Sequence, residues 1–245
     1  MNTLEVRHLE KHYPAFTLHD VSFDVPQGAI MGFIGRNGAG KSTTLKSILG
    51  LVHPEGGTVT FAGRDVAEEP RYFRENIGVV LGGIDFYPKK KLAAITAVTR
   101  RFYPGWQEDK YRHYCRVFGL DENKRVDELS SGMRVKYLIA LALSHEAKLL
   151  ILDEPTSGLD PVSRDELTEL FRAIVKNGER SILFSTHITS DLEKCASHVT
   201  FIKDGKLQYT GSMENFMSTY QDKGATLEEI IVAVERRELD EGAIL

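Results

Sequence analysis

The chain has 245 residues, 42% of them apolar, with a formal net charge of −4 and two cysteines. That apolar content is ample for a core and excludes a disordered chain, and the length fits one large domain or a domain with an inserted lobe. The acidic balance argues against a dedicated nucleic-acid binder, which is usually basic.

In chain order, residues 3–34 read as short strands. Leu4, Val6 and His8 alternate weakly with Glu5, Arg7 and Leu9, and Val21, Phe23 and Val25 alternate more clearly with polar partners. No basic stretch followed by an apolar one marks a secretory leader at the start. Ala29 to Ile34 is an apolar run leading into a glycine-rich loop. A helix is expected from Lys41, with Leu45, Ile48 and Leu49 on one face and a stop near Gly50. Gly57–Ala62 and Ile77–Leu81 read as further strands.

From about Lys89 to Glu146 the pattern is helical, with breaks at Pro104-Gly105 and Gly119. Its longest apolar run, Tyr137–Leu143, is far short of the roughly 20 residues that span a bilayer. Beyond it, strands near Leu149–Leu152, Ser181–Phe184 and Val199–Ile202 alternate with helices near Val162–Lys176 and Ser190–Cys195. That alternation indicates an α/β fold with a largely parallel sheet. Asp204-Gly205 is a hairpin signal. Thr226–Glu238 is amphipathic, with Leu227, Ile230, Ile231 and Val234 on one face, and is expected to dock on its own domain. Cys115 and Cys195 lie far apart without metal or redox spacing and read as reduced thiols.

Four motifs carry chemistry. Gly35-Arg36-Asn37-Gly38-Ala39-Gly40-Lys41-Ser42, followed by Thr43, fits the phosphate-binding P-loop, between an apolar strand and a helix as the pattern requires. Its backbone N–H groups and the positive helix end suit phosphate. Lys41 would reach the β- and γ-phosphates, and the Ser42 hydroxyl would ligate Mg²⁺. Leu149–Leu152 is a buried-strand run that delivers Asp153 and Glu154 to the carboxyl end of the sheet, where open α/β sheets bind ligands. Leu129-Ser130-Ser131-Gly132-Met133 opens a helix and forms a second potential anion site. Ser185-Thr186-His187 follows another strand.

In this order the motifs resemble the nucleotide-binding subunit of ATP-binding-cassette (ABC) transporters, from about Leu4 to Gly211. The resemblance implies a P-loop NTPase core of ABC type, with an N-terminal antiparallel β subdomain and an inserted helical subdomain. The ABC ATPase domain would be residues 1–220, the helical subdomain about 89–146, and residues 221–245 a C-terminal helical tail. It further implies ATP and Mg²⁺, with Mg²⁺ held by Ser42 and Asp153. Glu154 would be the general base and His187 the switch histidine, while Tyr13 would stack on adenine. Ser157–Asp160 matches the loop that crosses the dimer seam. Ser130 and Gly132 would close over the ATP of a second cassette, identical or different; Ser131 and Met133 replace the family's glycine and glutamine. The strand at Ile77–Leu81 normally runs into a metal-ligating glutamine, but Gly82 stands there, with Gly83 next. Either a water fills that place or Asp85 reaches in, and the spacing favours the water.

The segment Arg101-Phe102-Tyr103-Pro104-Gly105-Trp106, ahead of the Ser-Gly-Met motif, looks like a bacterial subgroup with separate ATPase and membrane chains. Members of that subgroup are associated with export of antimicrobial or amphipathic peptides and related compounds. The expected protein is therefore an ATPase subunit driving a separate transmembrane permease. It would be cytoplasmic and peripheral on the inner face of the membrane, with no nucleic-acid partner. Lys89-Lys90-Lys91 and Arg100-Arg101 read as solvated helix faces, or as contacts to acidic permease loops. The rival reading is a soluble ABC ATPase serving a cytosolic assembly. A ribosome-associated protein of this family is disfavoured by the single cassette, and a P-loop kinase or GTPase has no use for Leu129–Met133 or the His187 segment.

Overall fold

Two sheets and a helical lobe organise the protein, whose computed structural model describes residues 1–81 and 87–235. The chain opens with a hairpin of β1 (Asn2–Tyr13) and β2 (Phe16–Pro26). These strands run 12 and 11 residues, longer than the short strands expected from sequence. The weak alternation of β1 has a local cause. His8 adopts a left-handed φ of 51°, and the register to β2 slips between Val6 and Leu9. The buried positions therefore run Leu4, Val6, then Leu9, because a bulge re-aims the side chains that follow it. β1 also pairs with β4 (Gly56–Phe61), and β4 with the short β5 (Arg64–Asp65), giving an antiparallel sheet in the order β2-β1-β4-β5.

The second sheet has the order β10-β9-β3-β8-β7-β6. Its members are β3 (Ile30–Ile34), β6 (Ile77–Leu81), β7 (Leu149–Asp153), β8 (Ser181–Thr186), β9 (His198–Lys203) and β10 (Lys206–Ser212). All pairs are parallel except β9 with β10. Asp204 and Gly205 join that pair with φ of 49° and 76°, the two left-handed residues of a tight hairpin turn. Every residue of β3, β7 and β8 is buried. That explains their continuous apolar runs: strands covered on both faces have no solvent side to mark.

One face of this sheet packs on the antiparallel sheet and on α1 (Lys41–Ile48), through Met31, Phe33, Ile151 and Leu183 against Leu4, Phe23 and Leu45. Its other face packs on α6 (Pro161–Val175), α7 (Thr189–Cys195), α8 (Met213–Thr219) and α9 (Leu227–Glu235), around Phe171, Phe184, Phe201 and Phe216. In α9, Leu227 and Ile230 are fully buried in that core, Glu193 accepts a bond from the Leu227 N–H at 2.7 Å, and the Lys203 ammonium donates to the Val234 carbonyl at 2.8 Å. This helix docks on its own chain, as its amphipathic pattern predicts.

α2 (Pro70–Glu75) precedes β6; the candidates Gly82, Gly83 and Asp85 beyond β6 lie outside the described residues. The lobe comprises α3 (Leu92–Thr99), α4 (Glu108–Val117) and α5 (Ser131–Ser144) around Leu92, Tyr111, Val126, Tyr137 and Leu141. The Thr96 hydroxyl shares hydrogen bonds with Tyr111 at 2.8 Å and Tyr137 at 2.9 Å, which satisfies two buried phenols. α5 roots the lobe in the sheet, since Gly78 of β6 lies under Ala142. Cys115 and Cys195 are free thiols. Among the described residues no helix is long and apolar enough to cross a membrane.

Candidate active site

The carboxyl ends of β3, β8 and β7 lie side by side, with Ile34 opposite Thr186 and Asp153 opposite Ser185. The loops leaving these ends therefore converge, and they carry the P-loop, His187 and Glu154. Gly40 precedes α1 at φ 114°, and a Cβ there would lie 2.9 Å from Phe16 Cζ and 3.0 Å from Leu18 Cδ1. A glycine is required both by the dihedral and by this close approach. Behind the loop the Lys41 side chain is buried. Its ammonium donates to the carbonyls of Gly35 at 2.7 Å and Arg36 at 3.3 Å, and lies 3.6 Å from Glu154 Oε1.

Asp153 is 7% exposed. Its Oδ1 accepts from the Ser185 hydroxyl at 2.5 Å and from Ser42 Oγ at 3.2 Å. Glu154 has a φ of 51°, an uncommon conformation for a non-glycine residue and one that clusters at functional sites. Its N–H holds this shape by donating to the carbonyl and hydroxyl of Ser185, at 3.1 and 3.0 Å. The carboxylate turns to His187, whose Nδ1 lies 2.8 Å from Glu154 Oε2. His187 is held by a turn in which the Ile188 N–H donates to Thr186 Oγ1 at 3.0 Å.

These groups face a cleft of about 550 Å³ lined by Tyr13, Phe16, Arg36, Asn37, Gly38, Gly40, Lys41, Ser42, Thr43, Glu154, Ser157 and His187. Ten of the residues expected at a nucleotide site from sequence are thus brought together. Gly35 and Ala39 form the buried wall of the loop and Asp153 lies behind Ser42. Phe16 and Ser185 received no role from the sequence. A second aromatic in the turn Tyr13-Pro14-Ala15-Phe16 was the available signal for Phe16. For Ser185 no local signal existed, since its place opposite Asp153 depends on the pairing of β7 with β8. Tyr13 is 36% exposed with the Lys11 ammonium 5.5 Å from its ring centroid, which leaves an aromatic surface at the cleft for a base to stack on.

Ser130, Gly132 and Asp160 do not line this cleft. Ser130 caps α5 by accepting from the Met133 N–H at 3.2 Å. Asp160 caps α6, accepting from the N–H groups of Val162 at 3.0 Å and Ser163 at 3.1 Å. The Ser163 hydroxyl, then its N–H, hold the Asp160 carboxyl below the usual carboxylate range. The two helix starts adjoin, since a Cβ on Gly132 would lie 3.6 Å from Ser163 Cβ. They adjoin outside the lining of the P-loop cleft.

A family model described as "ABC transporter" matches residues 18–157, more than half of the chain. The chain belongs to the ABC transporter family. It is an ATP-binding subunit, and hydrolysis of ATP is the activity of such cassettes. The lantibiotic transport ATP-binding protein SrtF of Streptococcus pyogenes is 35% identical over 230 residues, 90% of this chain and 96% of that protein. The Nod factor export ATP-binding protein I of Burkholderia orbicola is 34% identical over 210 residues, 83% of this chain and 68% of that protein. A solved ATP-binding subunit of an ABC transporter superposes with a TM-score of 0.84 at 30% identity, covering 96% of this chain and 100% of that one. In this ABC subunit the convergent loops at the sheet's carboxyl edge form the candidate nucleotide site.

The oxygens of Ser42 and Asp153 suit Mg²⁺, a hard cation that takes oxygen ligands and shares them with substrate phosphates. Among the described residues no group of three or more His, Cys, Asp or Glu side chains is placed to hold a metal.

Proposed function

We propose that this chain hydrolyses ATP with Glu154 as general base and His187 as the residue that orients Glu154 and the γ-phosphate. The observation that carries this reading is the hydrogen-bonded Glu154–His187 pair at the mouth of the P-loop cleft, beside Lys41. A carboxylate held at this edge can polarise the attacking water. Arg36, Asn37, Gly38 and Gly40, with Thr43, supply backbone and side-chain donors to the phosphates, and Lys41 adds its charge to the β- and γ-phosphates. Tyr13 stacks on adenine, joined by Phe16 at the edge of the P-loop. Mg²⁺, held by Ser42 and Asp153, neutralises charge on the phosphate oxygens when bound.

Ser130, Gly132 and Asp160 serve a second cassette: they do not line the chain's own cleft, which leaves them for the ATP of a partner. Two cassettes closing around two ATP molecules would bind nucleotide better closed than open, which is what couples ATP to shape. A separate transmembrane permease follows that motion, and the chain sits on the cytoplasmic face of the membrane through it. We read residues 1–220 as the cassette, about 89–146 as its helical subdomain and 221–245 as its helical tail. The Arg101–Trp106 segment and the Ser-Gly-Met motif favour the subgroup that exports antimicrobial or amphipathic peptides, and the SrtF likeness supports that cargo class. The Nod factor export relative supports the outward direction.

The test is affinity purification of the tagged chain from detergent-solubilised membranes of its host, with mass spectrometry of its companions. A stoichiometric polytopic protein is expected. A chain recovered only with soluble partners would favour the cytosolic ABC ATPase instead.

A further inference from the structure

Three consecutive residues of α6 reach three different partners. Arg164 pairs with Asp191 and Asp165 with Lys194, both on α7, while Glu166 pairs with Lys136 on α5. The pairs of Asp165 and Glu166 leave at least one member about half exposed, and such pairs contribute little. The Arg164–Asp191 pair differs. The Asp191 side chain is 2% exposed. Its Oδ1 receives Arg164 Nη2 at 2.6 Å and Nε at 3.1 Å, and Nη2 also donates to Ser190 Oγ at 3.0 Å. A guanidinium fork fixes direction as well as distance.

The position of this pair in the fold gives it consequence. α6 begins at its cap Asp160, on the loop expected to cross the dimer seam. α7 begins at Thr189, two residues after His187. α7 has a second, apolar anchor, because Leu192 lies over Gly32 of β3, where a Cβ would come within 2.1 Å of Leu192 Cδ2. That contact holds α7 on the sheet. Of the two ion pairs between α6 and α7, the Arg164–Asp191 pair is the buried one, at the first turn of α7, the end nearest His187.

We propose that Arg164 and Asp191 are positioning residues for ATP hydrolysis, clamping the helix that follows His187 to the helix that begins at Asp160, so that the state of the Asp160 loop sets the aim of His187 at Glu154. The proposal rests on the roles assigned above to His187 and Asp160. It joins a loop that faces a second cassette to the catalytic pair of the same chain. A buried pair of this kind is not needed for stability, since apolar replacements of similar volume are often tolerated. What it adds is orientation, and sub-ångström misplacement of a reacting group lowers rate steeply.

The experiment is a double-mutant cycle on the full chain, with ATP turnover, nucleotide affinity and thermal midpoint measured for each variant. R164K, which keeps the charge but loses the fork, is expected to lower kcat about tenfold with ATP affinity nearly unchanged. D191N should do the same. In an H187A background R164K should have no further effect, because both changes remove one function. The apolar pair R164M/D191L should keep the thermal midpoint of the wild type and still lose turnover. Losses that add in the H187A background, or a fall in turnover that tracks the thermal midpoint, would overturn the clamp while leaving the hydrolytic site intact. Full turnover in H187A would overturn the role of His187 and the clamp with it. A wild-type chain that hydrolyses no ATP would overturn the function itself.

Discussion

His187 Nδ1 lies 2.8 Å from Glu154 Oε2, and the two residues are delivered by β8 and β7, neighbouring parallel strands with Asp153 opposite Ser185. Glu154 adopts its left-handed backbone because Ser185 receives its N–H twice. The strand pairing thus fixes the Glu154 backbone, and the histidine fixes its side chain. Conversion of Glu154 to glutamine keeps the size and one acceptor but removes the carboxylate proposed as the base. Glu154→Gln is expected to bind ATP normally and lose hydrolysis by about 10² to 10⁴-fold, the usual worth of a positioned general base. A closed, ATP-retaining dimer should then accumulate in gel filtration. Normal turnover by this variant would refute the role of Glu154.

The metal assignment predicts a separate signature. Asp153→Asn keeps an oxygen that can accept from Ser42 but removes the negative charge and one of the two oxygens at the site. The Mg²⁺ concentration for half-maximal hydrolysis should rise about tenfold or more. Ser185→Ala, which removes the hydroxyl that orients Asp153 at 2.5 Å, should raise it by less. Mg²⁺ titration of ATPase activity checks both, and superimposable curves for wild type and Asp153→Asn would remove Asp153 from the metal.

Much of this architecture is legible in the sequence where local chemistry and tertiary packing agree. The P-loop glycines, the strand ending at Asp153 and the Asp204-Gly205 turn each declare themselves within a dozen residues. β1 was harder to read because the bulge at His8 breaks the period that alternation relies on. The strain at Glu154 and the part played by Ser185 depend on which strands become neighbours, which no local pattern states. The Arg164–Asp191 pair is hidden for the same reason. On the sequence both are charged residues of amphipathic helices, and only packing makes Asp191 a buried carboxylate.

The lobe's attachment to the sheet is a point of close contact that can be tested by stability. A Cβ on Gly78 would lie 2.3 Å from Ala142 Cβ and 2.6 Å from Leu150 Cδ2. The Ala142 methyl has no torsion by which to move away, so α5 must shift off β6. Gly78→Ala is expected to cost about 1–3 kcal/mol, the usual range for overpacking a filled core. Adding Ala142→Gly should relieve the contact, with part of the gain offset by the helix penalty of glycine, about 1 kcal/mol. Denaturant midpoints of the wild type and the two variants measure this, and a Gly78→Ala protein as stable as the wild type would mean that the two elements do not meet so closely.

His145 follows α5 and gives the fold a pH dependence of its own. It is 6% exposed and stacks on Tyr103 with ring centroids 3.7 Å apart. Burial lowers its pKa from 6.5 to about 4. Above the unfolded value both states hold a neutral ring, so the stability is undiminished there. As the pH falls from 6.5 toward 4 the unfolded chain takes up a proton that the folded chain refuses, and stability drops throughout that window. The loss attributable to this group is about 2 kcal/mol between pH 7 and pH 5, and it stops growing below pH 4. His145→Phe keeps a flat ring against Tyr103 and removes the titration. Unfolding followed at pH 7 and pH 5 should show a smaller loss in the variant than in the wild type, by about that amount. Equal losses would mean that His145 titrates in the folded protein as it does in the unfolded chain.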